Sequence, residues 1–327
     1  MQLVFWLELK NILFPYSKIM ATTTIGTTGI EVTAMGFGTW AWGDSLFWGY
    51  GKDYGESDLR LAFRAMIGLG ITFIDTAEVY GLGKSEQLLG KFIKETNADV
   101  QIASKYMPLP WRFRKEDVAD AVTASLKRLK LPSMDLYQVH FPAPSFLNQE
   151  GLMSALADEV EQGRIKAVGV SNYNAQQLRE AHQLLARRGV PLAVNQVRYS
   201  LITREIETNG VMDAARELDV TILAYSPLAQ GLLTGKYTAT NLPSGARSLD
   251  KRFQANGLQK LQPVFDKLSQ LGEKYSKTPA QVALNWLICQ PGVIPIPGVK
   301  TVAQVEQNAA ALGWELSAAD VAELGQV

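Results

Sequence analysis

The chain has 327 residues, enough for two average domains or for one α/β barrel, and its 47% hydrophobic and 20% charged residues exclude a disordered or fibrous protein. Thirty-two basic residues balance thirty-two acidic ones, which argues against a nucleic-acid footprint or a surface drawn to anionic lipid and leaves a small molecule as the expected partner. The single cysteine, Cys289, allows no intrachain disulfide and reads as a buried bystander in the apolar run 282–288; two histidines, His140 and His182, are too few for an imidazole-built zinc site.

Residues 1–20 carry two apolar patches, Leu3 to Trp6 and Ile12 to Phe14, broken by Glu8 and Lys10. Neither approaches the ~20 residues needed to cross a bilayer, and no lysine or arginine precedes the first patch as a secretory signal requires. No membrane insertion is expected. Residues 1–20 are read as an extension, disordered or not native, with Met20 as the natural start and residues 21–327 as one domain. The expected compartment is the cytoplasm, or the plastid stroma if the extension is a targeting remnant; mass spectrometry of the native protein tests the start site.

Next, the segment 25–32 resembles a β-hairpin able to plug the N-terminal mouth of a barrel. From residue 34, β-branched apolar runs alternate with amphipathic stretches, the pattern of repeated βα units. Strands are predicted at 34–39, 71–76, 100–105, 134–140, 166–171, 192–196, 220–225 and 293–296. Helical spacing joins Leu59, Ala62, Phe63, Met66 and Ile67 on one face, and Val118, Ala121, Val122, Ser125, Leu126 and Leu129 on another. Capping boxes open helices at Thr278-Pro279-Ala280-Gln281 and Thr301-Val302-Ala303-Gln304. Eight units without a low-complexity linker predict a (β/α)₈ TIM barrel. An open doubly wound sheet would show a Gly-x-Gly-x-x-Gly turn after its first strand, and 38–43 does not fit that pattern. The long stretch 229–256, after the seventh strand, is a lid candidate on the C-terminal face.

The site of a parallel barrel gathers at the C-terminal strand ends. Three successive strands end there in ionisable groups: Asp75, with Tyr80 five residues on, then Lys105, then His140. Strands ~4.8 Å apart bring these side chains together if all point inward. A tyrosine near pKa ~10 is a poor proton donor at neutral pH, and an adjacent ammonium is expected to lower it. Lys105 supplies that charge, Asp75 its counter-ion, and His140 a hydrogen bond to a carbonyl oxygen. Each residue has a plainer reading: a turn cap for Asp75, a surface aromatic for Tyr80, a solvated strand end for Lys105, an interior histidine for His140. Their convergence favours chemistry.

At these residues the chain resembles the aldo-keto reductase family from about Ile25 to Leu312. The motifs are 36–40 (Gly-Phe-Gly-Thr-Trp), 73–81 (Phe-Ile-Asp-Thr-Ala-Glu-Val-Tyr-Gly), Lys105, 135–140 (Asp-Leu-Tyr-Gln-Val-His), 163–172 ending in Ser171-Asn172, 195–196 (Asn-Gln) and 225–228 (Tyr-Ser-Pro-Leu). The resemblance implies a catalytic tetrad of Asp75, Tyr80, Lys105 and His140 and NADPH/NADP⁺ as cofactor. It also implies that Ser171, Asn172 and Gln196 hold the nicotinamide carboxamide while Tyr225 stacks on the ring, with Gly38, Thr39, Trp40 and Asp75 beside it. Ser226, Pro227 and Leu228 follow, and Lys236 and Arg247 close over the pyrophosphate. The adenosine end falls to Gly298, Lys300, Thr301, Gln304, Gln307 and Asn308; many members of the family carry glutamate where Gln307 stands. The helix start after Lys300 offers unpaired N–H groups and a positive dipole end to the 2′-phosphate, so NADPH is expected over NADH.

The implied reaction is hydride transfer to a small aldehyde or ketone, with Tyr80 as proton donor. The substrate pocket is expected to include Trp42, Trp48, Tyr80, His140 and Trp111, with Phe47, Tyr50 and Met107 nearby. Such a rim suits an apolar or flat carbonyl compound, such as an aromatic or small aliphatic aldehyde or a pyridoxal-like ring. A different class stays open: an NADP-binding regulatory or sensor subunit resembling potassium-channel β-subunits. A monomer or weak homo-oligomer is expected.

Overall fold

Runs rich in valine, isoleucine and leucine that are apolar on both faces must find backbone partners in neighbouring strands, and in this chain they form one parallel sheet. The computed structural model describes residues 21–142, 147–238, 240–243 and 248–327. The expectation for residues 1–20 lies outside these. The barrel strands are β3 (Phe37–Gly38), β4 (Phe73–Asp75), β5 (Gln101–Tyr106), β6 (Met134–Val139), β7 (Ile165–Ser171), β8 (Leu192–Arg198), β9 (Thr221–Tyr225) and β10 (Val293–Ile296). They pair in sequence order, and a parallel bridge between Gly38 and Gly298 brings the two edges together.

All eight predicted strands are present, but the first is shorter than 34–39. At this seam Gly36 and Gly38 donate to the carbonyls of Pro295 and Pro297 at 3.1 and 3.0 Å. Pro297 has no N–H to return to Gly36, which interrupts the ladder ahead of the Gly38–Gly298 bridge. Contact is also close, since a Cβ on Gly36 would lie 2.6 Å from the Phe73 ring.

The helices that follow the strands are α1 (Glu56–Gly68), α2 (Lys84–Thr96), α3 (Lys115–Leu129), α4 (Gln149–Glu161), α5 (Ala175–Ala186) and α6 (Val211–Glu217). After β9 come α7 (Ala255–Lys260), α8 (Gln262–Tyr275) and α9 (Pro279–Ile288); α10 (Val302–Ala309) and α11 (Ala318–Leu324) end the chain. The first expected capping box is complete, Thr278 Oγ1 accepting from Gln281 N at 3.3 Å and Gln281 Oε1 from Thr278 N at 2.9 Å. The second is half formed, since Thr301 Oγ1 accepts from Gln304 N at 3.3 Å while Gln304 Oε1 takes the Lys300 N–H at 2.7 Å instead of that of Thr301. The stretch 229–256 is not structureless; it forms 3₁₀ turns at Ala229–Thr234 and Lys251–Phe253 before α7 begins.

Inside the barrel, the two-residue period of each strand sorts side chains by height. Phe73, Ala103, Leu136, Ala167, Val194, Leu223 and Ile294 form an apolar lower part of the interior. Ile25 and Val32 join them from a hairpin of β1 (Thr22–Thr24) and β2 (Glu31–Thr33), whose Gly26 N–H donates to Thr221 Oγ1 at 2.8 Å, at the first residue of β9. The hairpin therefore closes the N-terminal mouth. Two residues further along the same strands stand Asp75, Lys105, Gln138, Gly169, Gln196 and Tyr225, so the inward face turns polar toward the C-terminal end. Among the described residues no helix is long and apolar enough to cross a membrane.

Candidate active site

Lys105 is fully buried and Asp75 nearly so. An ammonium at that depth is sustained only by a close counter-ion and full hydrogen bonding. Its Nζ lies 2.5 Å from Asp75 Oδ1, donates to the Thr76 carbonyl at 2.8 Å and to the Tyr80 hydroxyl at 3.2 Å. Asp75 Oδ2 in turn accepts from Gln196 Nε2 at 2.8 Å and from Gln138 Nε2 at 3.2 Å. Tyr80 reaches this point from a short turn, Tyr80–Gly83, in which Gly81, Leu82 and Gly83 all take left-handed backbone. The Tyr80 ring meets His140 edge-on, centroids 5.7 Å apart.

Burial has the largest effect on Lys105, Tyr80 and His140. It depresses Lys105, but Asp75 and Tyr80 more than offset it and the net direction is up, so the amine stays charged. For Tyr80 burial raises the phenol and Lys105 lowers it, with burial prevailing. This corrects the expected direction: the ammonium is present, but desolvation of the phenolate outweighs it. His140 drops to about 3 through burial and the Lys105 charge, which makes it a neutral imidazole near neutral pH. Its Nδ1 is buried with no hydrogen-bond partner among the described residues.

Above these groups opens a cavity of about 730 Å³ that includes Asp75, Tyr80 and His140 in its wall. Of the residues expected to touch a cofactor, Gly38, Trp40, Ser171, Asn172, Gln196, Tyr225, Ser226, Pro227, Leu228 and Lys236 line it, and so do Gly298 and Lys300 ahead of α10 and Gln304, Gln307 and Asn308 along it. Asn172 is held on three sides, donating to the His140 carbonyl and Ser171 Oγ while its Oδ1 accepts from the Tyr225 hydroxyl. Backbone in the left-handed region at Asn172, Ser226, Ala229 and Gln230, uncommon for residues with a Cβ, marks the turns around this cavity. The Lys300 ammonium lies over the rings of Tyr54 and Trp48, 4.6 and 5.4 Å from their centroids.

Four expected contacts fall elsewhere. Thr39 is buried beneath the site, donating to the Asp75 carbonyl at 2.9 Å. Thr301 caps α10 and leaves the cavity wall to its neighbours. Trp42 is a core residue, its Nε1 bonded to the Val299 carbonyl at 2.9 Å, and Trp111 is 66% exposed outside the cavity. Trp48 and Met107 do line it, whereas Phe47 stacks on Trp40 instead. Arg247 lies outside the described residues.

Three of the residues that the sequence did not point to shape the site most directly. Phe141 lines the cavity, stacked on His140 at 5.1 Å. Glu78, between Asp75 and Tyr80, accepts from the Met107 N–H at 2.6 Å and pairs with Arg112 at 2.5 Å, tying the Tyr80 turn to the loop after β5. Gln138 carried a readable signal, since it lies two residues before His140 and so shares its inward face.

Comparison with known proteins agrees with this arrangement. The family model described as "Aldo/keto reductase family" matches residues 34–327. The chain is 42% identical over 300 residues to a chloroplastic pyridoxal reductase of Arabidopsis thaliana, covering 88% of this chain and 81% of the relative. It is 34% identical to an aldo-keto reductase of Bacillus subtilis, over 94% of this chain and 93% of that one. Among solved structures, a glycerol dehydrogenase of Gluconobacter oxydans superposes with a TM-score of 0.82 at 28% identity, covering 93% of this chain and 94% of that one. An aldo/keto reductase of Klebsiella pneumoniae in complex with NADP and acetate does so with 0.73 at 29% identity, over 93% and 94%.

Proposed function

The chain belongs to the aldo/keto reductase family, and on that premise we propose that it reduces small, flat or apolar aldehydes and ketones, with Tyr80 as proton donor. It is an NADP-dependent oxidoreductase. The observation that carries the reading is the Tyr80 hydroxyl 3.2 Å from a fully buried Lys105 ammonium, in the wall of a cavity large enough for a dinucleotide and a small substrate.

The residues present fit that cofactor. The buried, unpartnered Nδ1 of His140 marks a polar position still to be satisfied, and the far end of the cavity carries Lys236, Lys300 and the start of α10, a setting suited to phosphates. Ser171, Asn172 and Gln196 would hold the carboxamide and Tyr225 the ring face; Lys300, Gln304, Gln307 and Asn308 would hold the 2′-phosphate and adenosine. Bound there, NADPH supplies the hydride. Neutral His140 donates a hydrogen bond to the substrate oxygen without adding a charge. Neutral Tyr80 gives that oxygen its proton, and Lys105 stabilises the phenolate left behind, while Asp75 holds the ammonium in place. Val79, Met107 and Phe141 make the wall near Tyr80 and His140 apolar, which favours uncharged, flat substrates.

Loss of NADPH absorbance against a panel of aromatic, aliphatic and pyridoxal-type aldehydes tests this. Turnover with the flat aromatic members is expected. Tight NADPH binding with no turnover on any of them would instead favour the sensor-subunit reading.

A further inference from the structure

In the polar layer of the barrel, Gln138 sits between two groups with separate tasks. Its Nε2 donates to Asp75 Oδ2 at 3.2 Å, and its Oε1 accepts from Gln196 Nε2 at 3.2 Å; Gln196 Nε2 also reaches Asp75 Oδ2, at 2.8 Å. The three side chains form a closed triangle, and all are buried. The neighbouring strand leaves room for it. A Cβ on Gly169 of β7 would lie 2.8 Å from Gln138 Cγ and 2.5 Å from Val194 Cγ2, so a glycine at 169 is what lets the amide lie flat across the barrel. Asp75 belongs to the proton-donating group and Gln196 to the cofactor wall, yet Gln138 is absent from the cavity wall. Among the described residues its side chain makes polar contacts with those two alone.

We infer that Gln138 is a positioning residue that fixes Asp75 and Gln196 relative to each other, so that the carboxamide contact and the Lys105–Tyr80 pair are held in register. Resting on the reductase reading above, the inference adds a residue that touches neither substrate nor cofactor. Because Gln196 Nε2 is spent on the triangle, its Oε1 is the atom turned to the carboxamide amine. Rotation of that amide would present the wrong group. Without Gln138, Gln196 loses the acceptor that fixes its orientation, and Asp75 keeps one amide donor instead of two.

Two variants test this. Gln138→Met keeps the volume and removes both hydrogen bonds; kcat/KM for NADPH is expected to fall about tenfold, as for the loss of a hydrogen bond to a charged group. Gln138→Glu gives a pH signature. Around position 138 the groups that ionise are Asp75 from β4, Tyr80 from the turn after it, Lys105 from β5 and His140 at the end of β6; β7 and β8 present Gly169, Ser171 and Gln196, which do not. When protonated, the carboxyl introduced by Gln138→Glu can donate to Asp75 and accept from Gln196, restoring both bonds, whereas its ionised form sets two carboxylates against each other. Activity relative to the unmodified enzyme should therefore recover as pH falls from about 8 to about 5. A merely structural role moves neither quantity in this way. Full kcat and unchanged NADPH KM in Gln138→Met, or a pH-independent loss in Gln138→Glu, overturns the inference. Tyr80→Phe is assayed alongside: if that variant turns over normally, the reading of Tyr80 as proton donor has failed, and an inactive Tyr80→Phe with a fully active Gln138→Met rejects only the role of Gln138.

Discussion

Burial drives the two groups that would meet a substrate oxygen in opposite directions on the pH scale, and in both cases toward the neutral form. The Tyr80 phenol rises despite Lys105, and the His140 imidazole falls to about 3. The sign for His140 follows from linkage. Its folded value lies below the unfolded 6.5, so the unfolded chain binds the extra proton, and the stability is complete above about pH 6.5 and lost as pH falls toward about 3. Between pH 7 and 5 this costs about 2 kcal/mol, and His140→Gln should lose correspondingly less stability over that interval in denaturant titrations. A variant that acidifies like the parent would place His140 in water. At the other end of the cavity, Lys300→Ala should weaken NADPH by about tenfold or more while leaving NADH nearly unchanged, as for removal of one charge-assisted contact to phosphate. Equal losses for both would mean that the 2′-phosphate sits elsewhere. The four ionisable positions were legible because three successive strands end in them. The direction of the Tyr80 shift was not, because sequence names the neighbouring charge and is silent on how much water the packing removes.

The strands and the capped helices were readable from period and punctuation; the barrel seam was not. Which strand lies beside β10 follows from eight units closing on themselves, but the shortness of β3 depends on Pro297 standing opposite it, a matter of register that no local pattern reveals. Gly36 belongs to this seam. Gly36→Ala would push a methyl group against the Phe73 ring and carbonyl, 2.6 and 2.9 Å away, and is expected to destabilise the fold by about 1–3 kcal/mol, read as a lower unfolding midpoint in denaturant. An unchanged midpoint would show that β3 can shift freely. Loops were harder still. Trp40 and Trp42 are two residues apart, yet one lines the cavity and the other packs in the core, because the turn at 39–43 has no regular period to assign them faces.

At the scale of the whole molecule, an apolar plug closes one mouth of the barrel and a polar, charged layer floors the cavity at the other, so the fold itself separates stability from chemistry. A dinucleotide filling the cavity would contact both Gly38 and Gly298, on the two edges that meet at the seam. NADPH at a hundred times its Kd should therefore stabilise the folded chain by about 2.7 kcal/mol and raise Tm by several degrees, with NADH at the same concentration giving less. The central claim is that the Tyr80 hydroxyl, and no other group at this rim, protonates the product oxygen. Single-turnover reduction by Tyr80→Phe, preloaded with NADPH, tests it most directly: cofactor binding should be retained and the reduction step slowed by about 10² to 10⁴-fold, the usual contribution of a general acid. Reduction at the unmodified rate would contradict it.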